Sequence, residues 1–397
     1  MSAQLQLRSG KDRSLLRRHP WIYAGAIGRI AGQPGTGETV RIVAADGRFL
    51  AWAAYSPASS IRARVWSFDE ADSINEQWIR ERIARAIERR AVLEGPCEAV
   101  RLVFGEADSL PGLVVDRYRD QLVVQLLAAG VEAWRDAIVA ALTEITGCST
   151  IYERSDAAAR QREGLELREG ALLGPVPQAP VEIEETGVRY NVDVLAGHKT
   201  GFYIDQRENR ALVGVNARGR QVLNCFCYTG GFSLAALKGG AASVVSVDSS
   251  GPALEIARAN QQLNGFGDLG EDRCHWLEAN VFDALKQFDA QSRRFDLIIL
   301  DPPKFAPSSH HVDRAARAYK EINLKALRLL NPGGLLFTFS CSGAIDVDLF
   351  QKIIAGAVFD SGLDVQMLRR LQAGIDHPML MTHPEGEYLK GLMLVRC

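Results

Sequence analysis

Three stretches place reactive side chains at spacings that chemistry could use. The first is 222–231 (VLNCFCYTGG), a strand-like run that ends in a glycine pair ahead of a helical pattern. Glycines at such a turn let the backbone approach a ligand closely, and ligands of doubly wound sheets sit at the strands' carboxyl ends. Asn224, Phe226, Tyr228, Thr229, Gly230 and Gly231 are therefore candidate cofactor-binding residues. A tight strand–helix turn with no ligand is the simpler reading of the glycines alone. The next strand, 244–248 (VVSVD), argues against it by bringing Asp248, followed by Ser249, to its own end. A carboxylate there accepts hydrogen bonds from both hydroxyls of a ribose. That pair suits NAD as well as S-adenosylmethionine (AdoMet).

The second stretch, 295–305 (FDLIILDPPKF), decides between them. A buried strand ending in Asp301-Pro302-Pro303 sets a carboxylate beside two rigid residues that lack an N–H, leaving carbonyls free for a polar base edge. A strand stop with a surface turn would account for one proline, and less well for an acid, two prolines, Lys304 and Phe305 together. The combination points to a methyltransferase acting on a planar substrate such as a nucleobase. Asp301 then holds the ring, and Lys304 faces phosphate or base, although a solvated lysine fits that position nearly as well.

The third stretch, 335–342 (LLFTFSCS), delivers Cys341 to the same edge. Carbon 5 of a pyrimidine is too weak a nucleophile to attack a methyl donor unaided. A thiolate added at carbon 6 makes it an enamine-like carbon, which is covalent catalysis by an activated thiol. A cysteine at a strand end is more often a small buried hydrophobe. The flanking serines and the neighbouring Asp-Pro-Pro-Lys loop favour the catalytic reading. His198 and Lys199, in 197–203 (GHKTGFY), are further candidates for facing RNA, whereas His310 and His311 form no metal constellation.

These residues need a parallel sheet to position them. Beyond residue 181 strands alternate with helices, at 221–227, 243–248, 275–278, 295–300 and 334–340, with helices at 231–237, 252–264 and 314–330. Closing strands are expected at 363–371 and 388–395. Upstream, short apolar runs at 21–27, 39–43, 49–55 and 61–66 alternate with turn signals, as in a compact barrel. A helix is expected over 73–94, capped by Ser73 with Glu76 completing a capping box and stopped by Gly95-Pro96. A small α/β unit follows, with strands at 101–104, 112–118, 121–127 and 150–153, a helix over 131–146 and a linker at 170–180.

The 397-residue length implies two or three domains. A hydrophobic share of 47% with 24% charged residues describes a soluble globular chain, with no apolar run long enough for a bilayer and no secretory signal. A cytoplasmic protein without membrane association is expected. Seven cysteines suggest neither a disulfide framework nor a zinc site, so no metal is expected. The net charge of −2 decides nothing about nucleic acid, which needs a local basic face. Arg8, Lys11, Arg13, Arg17, Arg18 and His19 form such a cluster, which on charge alone reads as solvated surface.

Five motifs, 197–210 (GHKTGFYIDQRENR), 224–233 (NCFCYTGGFS), 301–305 (DPPKF), 340–342 (SCS) and 385–392 (EGEYLKGL), occur in the order of one family. The chain resembles, over essentially its whole length, the bacterial large-subunit ribosomal RNA 5-methylcytosine methyltransferases. The resemblance implies an α/β fold: a PUA-like RNA-binding β-barrel (1–72), a small central α/β domain (73–184) and a Rossmann-like class I methyltransferase domain (185–397). It implies AdoMet as donor, S-adenosylhomocysteine as product, a cytosine of 23S rRNA as acceptor and Cys341 as nucleophile. Gln206 and Arg210 would border the cofactor. Asn280, with Val281 and Phe282, would lie beside the adenine, where Asp is usual in place of Asn280.

Many related RNA cytosine enzymes carry a second cysteine after Asp-Pro-Pro. Lys304 stands there instead, so another base must remove the carbon-5 proton. Two alternatives compete with this reading. Methylation of an exocyclic nitrogen of guanine or adenine would use an Asn/Asp-Pro-Pro-aromatic loop and no thiolate. A non-catalytic RNA-binding assembly factor would show an eroded cofactor turn. The sequence carries no legible dimer interface, and a homodimer is one arrangement consistent with it.

Overall fold

The computed structural model describes residues 3–93, 97–177, 180–306 and 311–397, so the expected stop at Gly95-Pro96 and the call on His310 lie outside the described residues. The chain forms two compact units. One comprises residues 1–183, 192–204 and 375–386; the other comprises 184–191, 205–374 and 387–397.

The first unit begins with a six-stranded sheet made of β1 (Gln4–Leu7), β2 (Trp21–Tyr23), β3 (Ile27–Ala31), β4 (Thr39–Val43), β5 (Phe49–Tyr55) and β6 (Ile61–Ser67), with the short helix α1 (Arg13–Leu16) between β1 and β2. The order is β2-β6-β5-β4-β1-β3. Alternating residues such as Leu5, Val40, Ile42, Ala53 and Val65 fill its core, as period-two burial requires. β1 was not among the expected strands, although its Gln-Leu-Gln-Leu alternates with period two; it pairs parallel to β4 and antiparallel to β3.

Helix α2 (Glu76–Glu88) starts later than the capping-box reading placed it. The cap is Asn75, not Ser73: Asn75 is extended and its side chain accepts the Trp78 amide at 2.9 Å. A five-stranded sheet follows, formed by β7 (Ala99–Phe104), β8 (Leu113–Tyr118), β9 (Gln121–Leu126), β10 (Thr150–Ser155) and β11 (Arg168–Leu173), in the order β11-β10-β9-β8-β7. The expected single helix over 131–146 is two, α3 (Ala129–Ala133) and α4 (Arg135–Thr146), broken at Trp134 by φ −100° and ψ 14°. Helix α5 (Ala158–Arg162) precedes β11. The expected linker is partly ordered: 168–173 pairs antiparallel with β10 as an edge strand.

Segments distant in sequence join this unit through buried charges. Asp376 accepts the Arg101 amide, and its backbone carbonyl accepts Arg90. The carbonyls of Val194 and Gly197 accept the Arg154 guanidinium.

A hairpin of β12 (Val181–Glu185) and β13 (Val188–Val192) leads into the second unit. There helices α6 (Arg207–Asn216), α7 (Gly231–Lys238), α8 (Gly251–Leu263), α9 (Val281–Ala290), α10 (Val312–Leu329) and α11 (Val347–Ser361) accompany seven strands. These are β14 (Gln221–Cys225), β15 (Ser243–Asp248), β16 (Cys274–Glu278), β17 (Phe295–Leu300), β18 (Leu330–Ser340), β19 (Val365–Gln372) and β20 (Lys390–Arg396), ordered β16-β15-β14-β17-β18-β20-β19. The first five are parallel, and β20 runs antiparallel between β18 and β19. Continuous apolar runs such as 297–300 are fully buried, which a sheet covered on both faces demands.

Candidate active site

Register decides which side chains share an edge. Cys225 pairs with Val247 and with Leu300, Asp248 with Glu278, and Leu300 with Thr338. Phe226, Ser249 and Asp301 directly follow these pairs, and Cys341 directly follows Ser340, the last residue of β18, so all four emerge at the carboxyl edge of the parallel strands. The order of strands reverses there, between β14 and β17, which is where such sheets bind ligands.

The loop after β14 is conformationally unusual. Phe226 and Tyr228 have φ of 61° and 48°, and Gly230 has 86°. Two non-glycine residues in the left-handed region within three positions store strain of the kind found at ligand clamps. Asp248 helps hold the shape: its carboxylate accepts the Tyr228 amide at 2.8 Å and the Ser250 amide at 2.9 Å. An ionised carboxylate has about four acceptor sites, so capacity for ribose hydroxyls remains. A Cβ on Gly230 would come within 2.6 Å of the Trp276 ring. Close packing beneath the turn, along with backbone shape, therefore requires that glycine.

Gly231 opens α7 behind the loop, where unpaired amides favour an anionic group. Phe226 and Phe282 both pack on Phe305, with ring centroids 6.3 and 6.1 Å apart, giving an apolar wall. Asn280 is exposed and caps α9, its Oδ1 accepting the Phe282 amide at 2.9 Å. Its carbonyl is thus partly engaged, and its NH2 group is the freer donor toward a base edge. Val281 lies in the first turn of that helix, buried. Thr229 is buried, and its carbonyl accepts Asn260 at 3.2 Å.

Among the described residues, two of the cofactor candidates carry a buried polar atom with no hydrogen-bond partner. Asn224 donates to Ser233 at 2.8 Å while its Oδ1 is unpaired, and Gln206 accepts from Asn209 at 2.6 Å while its Nε2 is unpaired. Buried polar groups rarely stay unsatisfied without reason. A polar cofactor fits this donor and acceptor set.

Arg210, expected to border the cofactor, lies directly behind the glycine turn. It is buried and forms a bidentate pair with Glu185, both bonds 2.7 Å, and a Cβ on Gly231 would lie 3.0 Å from its Cδ. Arg210 is thus a pillar under the glycine turn. His198 and Lys199 fall in the first unit, where Tyr203 engages both: His198 Nδ1 is 3.2 Å from the Tyr203 hydroxyl, and Lys199 Nζ is 4.4 Å from its ring centre.

Around Cys341 the geometry is denser than the sequence suggested. Its Sγ lies 3.9 Å from the Pro302 carbonyl, so the cysteine touches the Asp-Pro-Pro loop. The Tyr319 hydroxyl lies 3.0 Å from both the Ser340 and Ser342 hydroxyls. Ser342 Oγ also accepts the Ala306 amide at 3.1 Å, stapling the two loops. Lys390 Nζ donates to the carbonyls of Ser342 at 2.9 Å and Ile345 at 2.5 Å. Tyr319 and Lys390 were not singled out from the sequence; Tyr319 lies on the buried face of α10, and only through-space pairing reveals either.

The buried thiols of this unit, Cys225 at the end of β14, Cys227 just past it and Cys274 at the start of β16, are unsuited to attack. Cys225 and Cys227 are buried, and burial pushes both well above the usual thiol range; burial likewise pushes Cys274 up to about 12. Cys341 is only half-buried. Lys304 is exposed on the same loop as Asp301. Among the described residues, no group of three or more His, Cys, Asp or Glu could hold a metal. No described helix is long and apolar enough to cross a membrane.

The strand order, the acid ending β15 and the Asp-Pro-Pro loop together define an AdoMet-dependent methyltransferase. The family model for S-adenosylmethionine-dependent methyltransferases matches residues 168–378, and that for PUA-like domains matches 5–68. A relative in Shewanella amazonensis called ribosomal RNA large subunit methyltransferase I is 49% identical over 99% of each chain. One of the same name in Citrobacter koseri is 47% identical over 98% of each. The chain belongs to the family of these two relatives, with a PUA-like domain ahead of a Rossmann-like methyltransferase domain. A solved structure from Streptococcus mutans superposes with a TM-score of 0.84 at 24% identity, covering 99% of this chain and 100% of that one. Another, solved with S-adenosylhomocysteine, gives a TM-score of 0.85 at the same 24% identity, covering 99% of this chain and 100% of that one. These two show the same fold.

Proposed function

We propose that this chain methylates carbon 5 of a cytosine in large-subunit ribosomal RNA, with Cys341 as a covalent nucleophile. The RNA class rests on the names of its near-full-length relatives. The carbon-5 chemistry rests on one observation: a half-buried thiol against the Asp-Pro-Pro loop, while Cys225, Cys227 and Cys274 are buried.

The thiolate adds to carbon 6, and the electron pair of the 5,6 double bond becomes available at carbon 5. AdoMet, when bound, would supply the electrophilic methyl group that carbon 5 takes up, with S-adenosylhomocysteine as the product. A base then takes the carbon-5 proton, and the carbon–sulfur bond breaks to restore the double bond and the thiolate. Asp301 orients the ring by accepting from the exocyclic amine or sharing a proton at N3. Tyr319 fixes the Cys341 loop through the hydroxyls of Ser340 and Ser342, and misplacing a nucleophile by 1 Å would cost roughly 100-fold in rate.

For the cofactor, Asp248 would take the ribose, the α7 amides the carboxylate, and Phe226 and Phe282 would flank the base with Asn280. Ser249, Val281, Gln206, Asn224, Thr229, Gly230 and Gly231 complete the cradle. His198, Lys199 and Lys304 would meet RNA.

RNA carrying 5-fluorocytosine tests this reading, since fluorine cannot leave as a proton does. With AdoMet, the wild-type protein should form an adduct that survives denaturing electrophoresis, and Cys341→Ala should form none. Methylation of ordinary RNA retained by Cys341→Ala would instead indicate an exocyclic nitrogen as acceptor.

A further inference from the structure

A lysine in the interior needs a reason to be there. Lys390 is 3% exposed, and among the described residues no carboxylate lies within ion-pair distance of it. Burying an ammonium without a counter-charge is costly. Its two hydrogen bonds go to the carbonyls of Ser342 and Ile345, which bracket the loop that Cys341 opens. An ammonium has three donors, so a third remains.

The backbone fixes this placement. Lys390 is the first residue of β20 and pairs directly with Ser340, the last residue of β18. Cys341 is the next residue, and its side chain interacts electrostatically with Lys390 and with Tyr319. The other charges that reach Lys390 are Glu387, preceding it on its own segment, Asp346 at the α11 cap and Lys304 on the Asp-Pro-Pro loop. Burial is the largest influence on Lys390 and lowers its proton affinity, whereas Cys341 is the foremost group raising it.

We propose that Lys390 is a positioning residue for Cys341: it ties down the 341–345 loop through two carbonyls, and its buried positive charge stabilises the thiolate. The proposal deepens the carbon-5 reading and rests on it. Glu387 and Asp346 act on Lys390 only from beyond ion-pair distance, and the close counter-charge is then the sulfur anion itself. The proton leaving Cys341 passes to solvent, and Lys390 keeps its own. A nearby opposite charge favours the ionised form of a thiol by about 1–3 pH units.

The test is the pH dependence of Cys341 alkylation by iodoacetamide on the intact protein, resolved by peptide mass spectrometry because Cys397 is also exposed. In wild-type protein the midpoint should fall below the ordinary thiol value of about 8.5. Lys390→Met has similar length and no charge, and should raise the midpoint by about 1 pH unit or more. Lys390→Arg should stay near the wild-type midpoint. Circular dichroism and AdoMet binding check that the variants are folded. An unchanged midpoint in folded Lys390→Met overturns the proposal. So does a wild-type midpoint at or above the ordinary thiol value, which requires no variant. If Cys341→Ala kept methylating RNA, the nucleophile reading would fall, while the alkylation midpoints would still decide whether Lys390 sets the thiol's ionisation.

Discussion

The Glu185–Arg210 pair offers a sharp separation of scaffold from cofactor contact. Both side chains are 3% exposed and share two 2.7 Å bonds beneath the glycine turn. Removing one partner strands a buried charge, which costs roughly 3–5 kcal/mol. For a unit of this size, 1 kcal/mol moves the melting midpoint by about 2–4 °C, so Glu185→Gln or Arg210→Met should lower it by roughly 6–20 °C. Replacing both partners with methionine removes the stranded charge and should recover most of the loss. Recovery stays incomplete because Arg207, which also pairs with the more exposed Glu208 at 3.6 Å, approaches Glu185 at 3.9 Å. Differential scanning fluorimetry reads the midpoints, and calorimetric titration with AdoMet reads affinity. The reasoning is refuted if Arg210→Met melts within about 2 °C of wild type while its AdoMet affinity collapses. That pattern would make Arg210 a cofactor contact.

Four further outcomes follow from the same geometry. Gly230→Ala should destabilise by at least about 1–3 kcal/mol in urea unfolding, since φ is 86° and Trp276 occupies the Cβ position. Asp248→Asn should weaken AdoMet binding roughly tenfold by titration, as it removes charge from the acceptor of the Tyr228 and Ser250 amides. Tyr319→Phe should cost about 1–2 kcal/mol and lower kcat while leaving AdoMet affinity intact, because Ser340 and Ser342 lose a shared partner. His383 is held below the ordinary histidine range chiefly by burial, so the folded chain resists a proton that the unfolded chain accepts near 6.5. Stability of the first unit should therefore decline as pH falls from about 7.5 to 5.5, with a shallower slope in His383→Gln.

The fold was legible wherever burial writes itself into composition. The runs 243–248 and 295–300 are apolar because both sheet faces are covered, and their ends coincide with the strands observed. Position was less legible than identity. Asn75 rather than Ser73 caps α2 because only the backbone path shows which side chain reaches a free amide. The edge strand β11 was hidden by Gly170 and Gly174, which read as a linker although five of the strand's six residues pair with β10. Among the candidate site residues, Asp248, Asp301 and Cys341 were legible as candidates because chemistry constrains residue type at a strand end. Arg210 was visible too, yet its partner Glu185 lies 25 residues away, and sequence could not tell a cofactor contact from a buried ion pair.

Lys390 shows why topology carries information that motifs do not. In an all-parallel sheet, the edge that binds ligands receives only the strands' last residues and the loops that follow. β20 breaks that rule: it enters antiparallel between β18 and β19, so its first residue arrives at the edge where β18 ends. Lys390 thereby meets Ser340 across the ladder and reaches around the 341–345 loop from within the sheet. A lysine delivered by a surface loop could sit near the same thiol, but water would screen its charge. Because a one-residue slip would turn Lys390 to the opposite face, the electrostatics of Cys341 are tied to the register of the last strand.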